Sequence, residues 1–150
     1  SCRYRGHGER MSHLPIPKEI WDEIVLLAGS VPVYNASAYL DYSTLPDECI
    51  LLYFAGASED ITTIGDPDSL GFAQRGGVTI EWLTQTGLDI APVLGRAETL
   101  RKALRGRSLG EVRIERIDLF ADAGSPIDQN GRWVSFASFL EYEIRECGKE

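Results

Sequence analysis

Histidine is nearly absent from this chain, and cysteine and methionine are sparse: two, three and one in 150 residues. His7 and His13 both fall in the polar stretch before Pro15, where no element holds them beside cysteine or a carboxylate. A zinc site or a His-based nucleophile relay needs such fixed neighbours, so neither has a basis here. Cys2, Cys49 and Cys147 are odd in number, far apart and without a CxxC pair. That pattern argues for reduced thiols in a cytosolic setting, not a disulfide frame. Cys49 sits in an apolar run and reads as a small core residue. No stretch has the apolar length of a membrane-spanning helix. Arg3 and Arg5 precede no apolar run, so the first residues are not expected to form a secretory signal. No GxGxxG follows a strand and no P-loop pattern occurs, which leaves nucleotide binding unsupported. Asp66 and Asp68 flank Pro67 and offer oxygen to a cation, but the other ligands of a calcium loop are missing and the triplet reads as a turn. The expected set of catalytic, cofactor-binding and metal-binding residues is therefore empty.

Basic residues are also in deficit, 15 against 23 acidic, giving a formal charge of −8. Tight wrapping of nucleic acid is driven by Lys and Arg displacing counterions, so this balance argues against it. An acidic surface serves solubility, or lines a passage to which DNA must not stick. What is present is ordinary for a soluble domain: 43% hydrophobic and 25% charged residues. The length suits one domain able to bury a core without staples.

The stretch from Gly77 to Ala121 reads as strand, helix, strand. Val93, Ala97, Leu100 and Leu104 recur at helical spacing, while Arg96, Thr99, Lys102 and Arg105 fall off that stripe. Asp89 is placed to cap the first turn, Pro92 is tolerated there, and Gly106 supplies a left-handed stop. Val78, Ile80 and Trp82 on one side and Val112 and Ile114 on the other alternate with polar residues, as half-buried strands do. Ile117 and Leu119 then change phase, which calls for a β-bulge near Glu115–Arg116 or burial against a second surface.

Residues 1–16 are expected to be an extension that is flexible or ordered by a partner, and residues 17–150 the domain proper. Pro17 opens a helix whose apolar face is Ile20, Trp21, Ile24, Leu27 and Ala28, ended by Gly29. Val31 to Tyr42 is extended and aromatic, with Pro32 confining any strand to an edge. Tyr34, Tyr39 and Tyr42 suit either a core or a subunit contact. Cys49 to Ala55 is apolar on both faces, so it is a central strand or one with a covered second face. Gly56 to Gly76 is a long connection with scattered apolar residues, and a protruding hairpin or arm that packs on a partner accounts for it. Asp122 to Gly131 is turn-rich and, with the Gly56–Gly76 arm and the basic face from Arg96 to Arg107, is expected to be a contact surface. In the last strand Val134, Phe136, Leu140, Tyr142 and Ile144 share one face, and Ser135, Glu141, Glu143 and Arg145 mark the other as largely wet. The basic group Arg96, Arg101, Lys102, Arg105 and Arg107 either complements a helix dipole or meets an acidic face on a neighbouring subunit.

In element order the chain from about Pro17 on resembles the tail terminator family of long-tailed bacteriophages. The resemblance runs through the N-terminal helix, the Cys49–Ala55 strand, the long loop, RGGVTIEW, VLGRAETLRKAL, EVRIERI and WVSFASFLEYEI. It implies an α+β fold, two-layer, with a mostly antiparallel sheet and two helices packed on one face. It further implies a non-enzymatic virion protein forming a homo-oligomeric, hexameric ring at the head–tail junction. Such a ring ends tail tube polymerisation, touches tube protein and head–tail connector or neck proteins, and lets DNA pass without sequence-specific binding. No cofactor and no membrane enter; the place is the virion, and the host cytoplasm during assembly. Rival readings are another neck or tube component, a small enzyme with its site in the Asp66–Arg75 loop, or an adaptor using the aromatic stretch.

Overall fold

The computed structural model describes residues 16–36, 42–61, 71–85, 89–122 and 133–147. The fold is α+β. Helix α1 spans Lys18–Ala28 and α2 Ile90–Leu104, and the strands are β1 Val33–Asn35, β2 Glu48–Ile61, β3 Gly71–Gln85, β4 Ser108–Leu109, β5 Val112–Ile117, β6 Ala121–Asp122 and β7 Trp133–Cys147. They form one mixed sheet in the order β1-β2-β3-β7-β5-β4, with β6 paired to β7 beyond β5. β1 runs parallel to β2, and the other neighbouring pairs are antiparallel.

Local sequence explains both helices. The Pro17 carbonyl accepts the Ile20 and Trp21 amides, and Gly29 ends α1 at φ 64°, a conformation that a Cβ disfavours. The Asp89 carboxylate accepts the Ala91 amide at 3.2 Å and caps α2, and Gly106 follows its last turn at φ 69°. Ile20 and Ile24 of α1 join Val93, Ala97, Leu100 and Leu104 of α2 in one cluster with Ile50, Leu52, Val78, Ile80, Trp82, Leu140, Tyr142 and Ile144 of the sheet. Ile16, placed by the sequence in the N-terminal extension, is buried in the same cluster.

The opposite sheet face is not bare. Cys49, Leu51, Leu83 and Trp133 form a second cluster there, with Tyr34, Ala36, Leu45 and Tyr53 packed against it. This explains why Cys49–Ala55 is apolar on both sides: β2 is internal at its first half and has a covered second face. Tyr34 takes the core role; Tyr39 and the Tyr42 side chain lie outside the described residues.

One expectation is sharpened and another corrected. The connection from Gly56 takes the hairpin form expected of it, with strand over most of its length: β2 continues to Ile61 and β3 resumes at Gly71, paired as far as Ile61↔Phe72. Propensity missed these strand ends because Gly56, Gly76 and Gly77 break the apolar alternation, and backbone pairing with β7 overrides them. Residues 62–70 lie outside the described residues. The second face of β7 is also not wet throughout: Ser135 and Glu143 are buried. The bulge forms where the phase change demands it, between Ile114 and Arg116 opposite β7. It returns Ile117 to the helix-side core, whereas Leu119 is left 66% exposed.

Candidate subunit interface

The sequence expectation for contact surfaces rests on the Gly56–Gly76 arm, the Asp122–Gly131 loop and the basic face from Arg96 to Arg107. The loop lies outside the described residues from 123 to 132. The arm is the β2–β3 hairpin. At its root β2 bulges between Phe54 and Gly56, with Gly56 at φ 116°. β1 covers the outer edge of β2 only at Ile50–Leu52, so among the described residues that edge has no strand partner farther along.

Glycine at 76 and 77 is set by close approach. A Cβ at Gly76 would lie 2.4 Å from the buried Tyr142 hydroxyl and 2.8 Å from the Gly56 carbonyl oxygen, and one at Gly77 2.3 Å from the Phe139 ring. The rings thus lie across bare backbone, and Arg116 stacks on Phe139 with its guanidinium carbon 5.8 Å from the ring centre. A groove of about 600 Å³ runs beside them, lined by Gly56, Ser58, Arg75, Gly77, Phe139 and Glu141 among others.

Next to this groove the sheet carries a charged cluster that sequence periodicity does not show. Register puts Arg75 of β3 and Arg113 of β5 directly opposite Glu143 of β7. Tyr142 and Ile144 point to the helices, so Glu143 projects from the other face. Its side chain is 4% exposed. Arg75 donates through Nε at 3.1 Å and Arg145 through Nε at 3.2 Å, and the Arg113 guanidinium approaches at 3.5 Å. Burial works to raise the Glu143 pKa; the hydrogen bonds and charges of Arg145 and Arg75 outweigh it and leave the carboxyl below its ordinary range. All three arginines remain more than half exposed. The signal that could have revealed the cluster is cross-strand register, which no single stretch of sequence carries.

The basic face on α2 is largely consumed within the subunit. Arg96 donates to Glu48, which also accepts the Trp82 indole N–H at 2.7 Å. Arg101 is buried and donates to Glu98 at 2.9 Å, and Arg107 reaches Glu23 of α1 at 2.8 Å. Lys102 and Arg105 are exposed. The grouping is thus mainly a set of ties between α2, the sheet and α1, and of its two expected roles it leaves little for a patch facing a neighbour.

Among the described residues no three His, Cys, Asp or Glu side chains are grouped to hold a metal. His7, His13, Asp66 and Asp68 lie outside them. Cys49 is buried and its thiol is pushed up to about 12, by burial first and then by Glu81 and Glu48. A thiol held protonated is a poor nucleophile at neutral pH. No described helix is long and apolar enough to cross a membrane.

No family model matches the chain. No curated protein matches it. A solved structure titled "Virion of native gene transfer agent (GTA) particle" contains a chain similar over 84% of this one and 91% of its own length, at 17% identity and a TM-score of 0.47. Similarity at that level fixes neither fold nor role.

Proposed function

We propose that this chain is a structural virion protein that assembles with copies of itself into a ring at the head–tail junction, ends growth of the tail tube and joins tail to head. The observation that carries the reading is the long β2–β3 hairpin with the outer edge of β2 left without a strand partner beyond Leu52 among the described residues. An open edge of this length is a template for pairing with another chain, and natural proteins usually blunt it unless a partner uses it. Repeating one head-to-tail contact around an axis closes a ring. The element order shared with tail terminators supports the same assignment and implies six copies, docking of one ring face on the tube, and connector or neck proteins on the other. An acidic ring of this charge repels the DNA that passes through it. Ending the tube is then geometric: one face reproduces the contact of a tube subunit and the other does not.

Negative-stain imaging and mass photometry of the purified chain test this. Closed rings of a single copy number are expected, and addition to polymerising tube protein should shorten the tubes. A strict monomer at every concentration, with tube length unchanged, overturns the reading.

A further inference from the structure

We propose that Arg75, Arg113 and Arg145 form the receptor for the acidic arm of a second copy of this chain, an inference that rests on the self-assembly reading above. The arginines are arranged as a receptor. One buried carboxylate, Glu143, gathers three guanidiniums from three adjacent strands while each remains 57–64% exposed. A guanidinium has five N–H donors in a fixed fork, and Glu143 together with Glu115 engages only a minority of the donors present. The rest are held in place on a sheet face, with rotational freedom already spent, which is the arrangement that binds carboxylates well.

The occupant follows from charge. Residues 56–74, which precede Arg75 in the hairpin, contain Glu59, Asp60, Asp66 and Asp68 and no lysine or arginine, four acids in one stretch of the sequence. The same chain therefore carries an acid-rich stretch, with Glu59 exposed on the hairpin, and a three-arginine face, and a head-to-tail contact brings the first of one copy to the second of the next. Double-stranded DNA is the competing anion. It is disfavoured because Glu115, Glu141 and Glu143 share the face with the arginines, and a run of phosphates would meet them.

Sedimentation velocity of charge-reversed variants tests the contact. Glu59→Lys with Asp60→Lys on the arm, and Arg75→Glu with Arg113→Glu on the face, should each weaken association by more than about tenfold. Mixing the two variants should restore it, since each supplies the charge the other lacks. The face variant places new acids beside buried Glu143, so its thermal melt is read first. If it fails to fold, the arm variant decides, together with Arg145→Gln, which leaves Glu143 two partners. Rings that persist in the arm variant and in Arg145→Gln overturn this contact while leaving self-assembly standing. A wild-type chain that never associates overturns both. Fluorescence anisotropy with a short DNA duplex closes the comparison: binding that depends on the three arginines and competes with assembly assigns the face to phosphate and sinks the proposal.

Discussion

Burying a carboxylate costs hydration that only hydrogen bonds from charged donors return, and Glu143 has such donors on both sides. Its folded pKa lies below the ordinary value of 4.5. The unfolded chain therefore binds the proton more readily, and stability rises with pH across the acid range. The contribution is complete once pH exceeds the unfolded value and fades as acid carries the pH down through the folded one. Glu143→Gln should lower stability near neutrality by about 1–2 kcal/mol and flatten the acid limb of a urea-denaturation series. Parallel acid limbs in variant and wild type would place the dependence elsewhere. The glycines make a second residue-scale test. Gly76→Ala meets a buried tyrosine and a backbone carbonyl, neither of which has room to yield, and should cost about 2–3 kcal/mol. Gly77→Ala meets the tip of a half-buried ring that can turn outward, so a smaller loss is expected. Equal melting temperatures for the two would contradict this.

At the scale of elements, α2 is fastened by its ends and its charges. Asp89→Ala removes the cap and should cost about 1 kcal/mol. Gly95 is helical, exposed and has nothing within 4 Å of where a Cβ would stand, so Gly95→Ala should gain up to about 1 kcal/mol. Thermal melts of the two variants should move in opposite directions. Both features were legible in the sequence, because capping and helical periodicity act within a few residues. The bulge in β5 was legible for the same reason, as a change of apolar phase between Ile114 and Ile117. The far halves of β2 and β3 were not, since glycine and polar residues there satisfy no apolar alternation and the strands exist through pairing. Arg101 was read as one member of a basic face, yet it is buried; the partner that permits this, Glu98, also accepts the Phe120 amide. That second contact spans residues too distant for periodicity to register.

For the whole molecule, an association built on arginine and carboxylate weakens as salt screens it. Raising salt from about 0.05 to about 0.5 M shortens the screening length several-fold and should shift a ring population toward free subunits. Pairing of an open β2 edge is far less sensitive to salt, so mass photometry across the series separates the two contributions. Rings unmoved by salt would leave the edge as the dominant contact.

Local pattern by itself determined the two helices with their caps and the change of apolar phase in β5, consequences of interactions between near neighbours in the chain; composition showed the scarcity of reactive side chains, and the α+β class was implied by the resemblance in element order. Only the tertiary structure decided that β2 and β3 continue into the arm, that the α2 cations are spent on Glu48, Glu98 and Glu23, and that three arginines gather on Glu143. The physical reason is the same in each case: cross-strand register joins residues as far apart as Arg75 and Glu143, and a charge is spent or available according to what register and packing set opposite it.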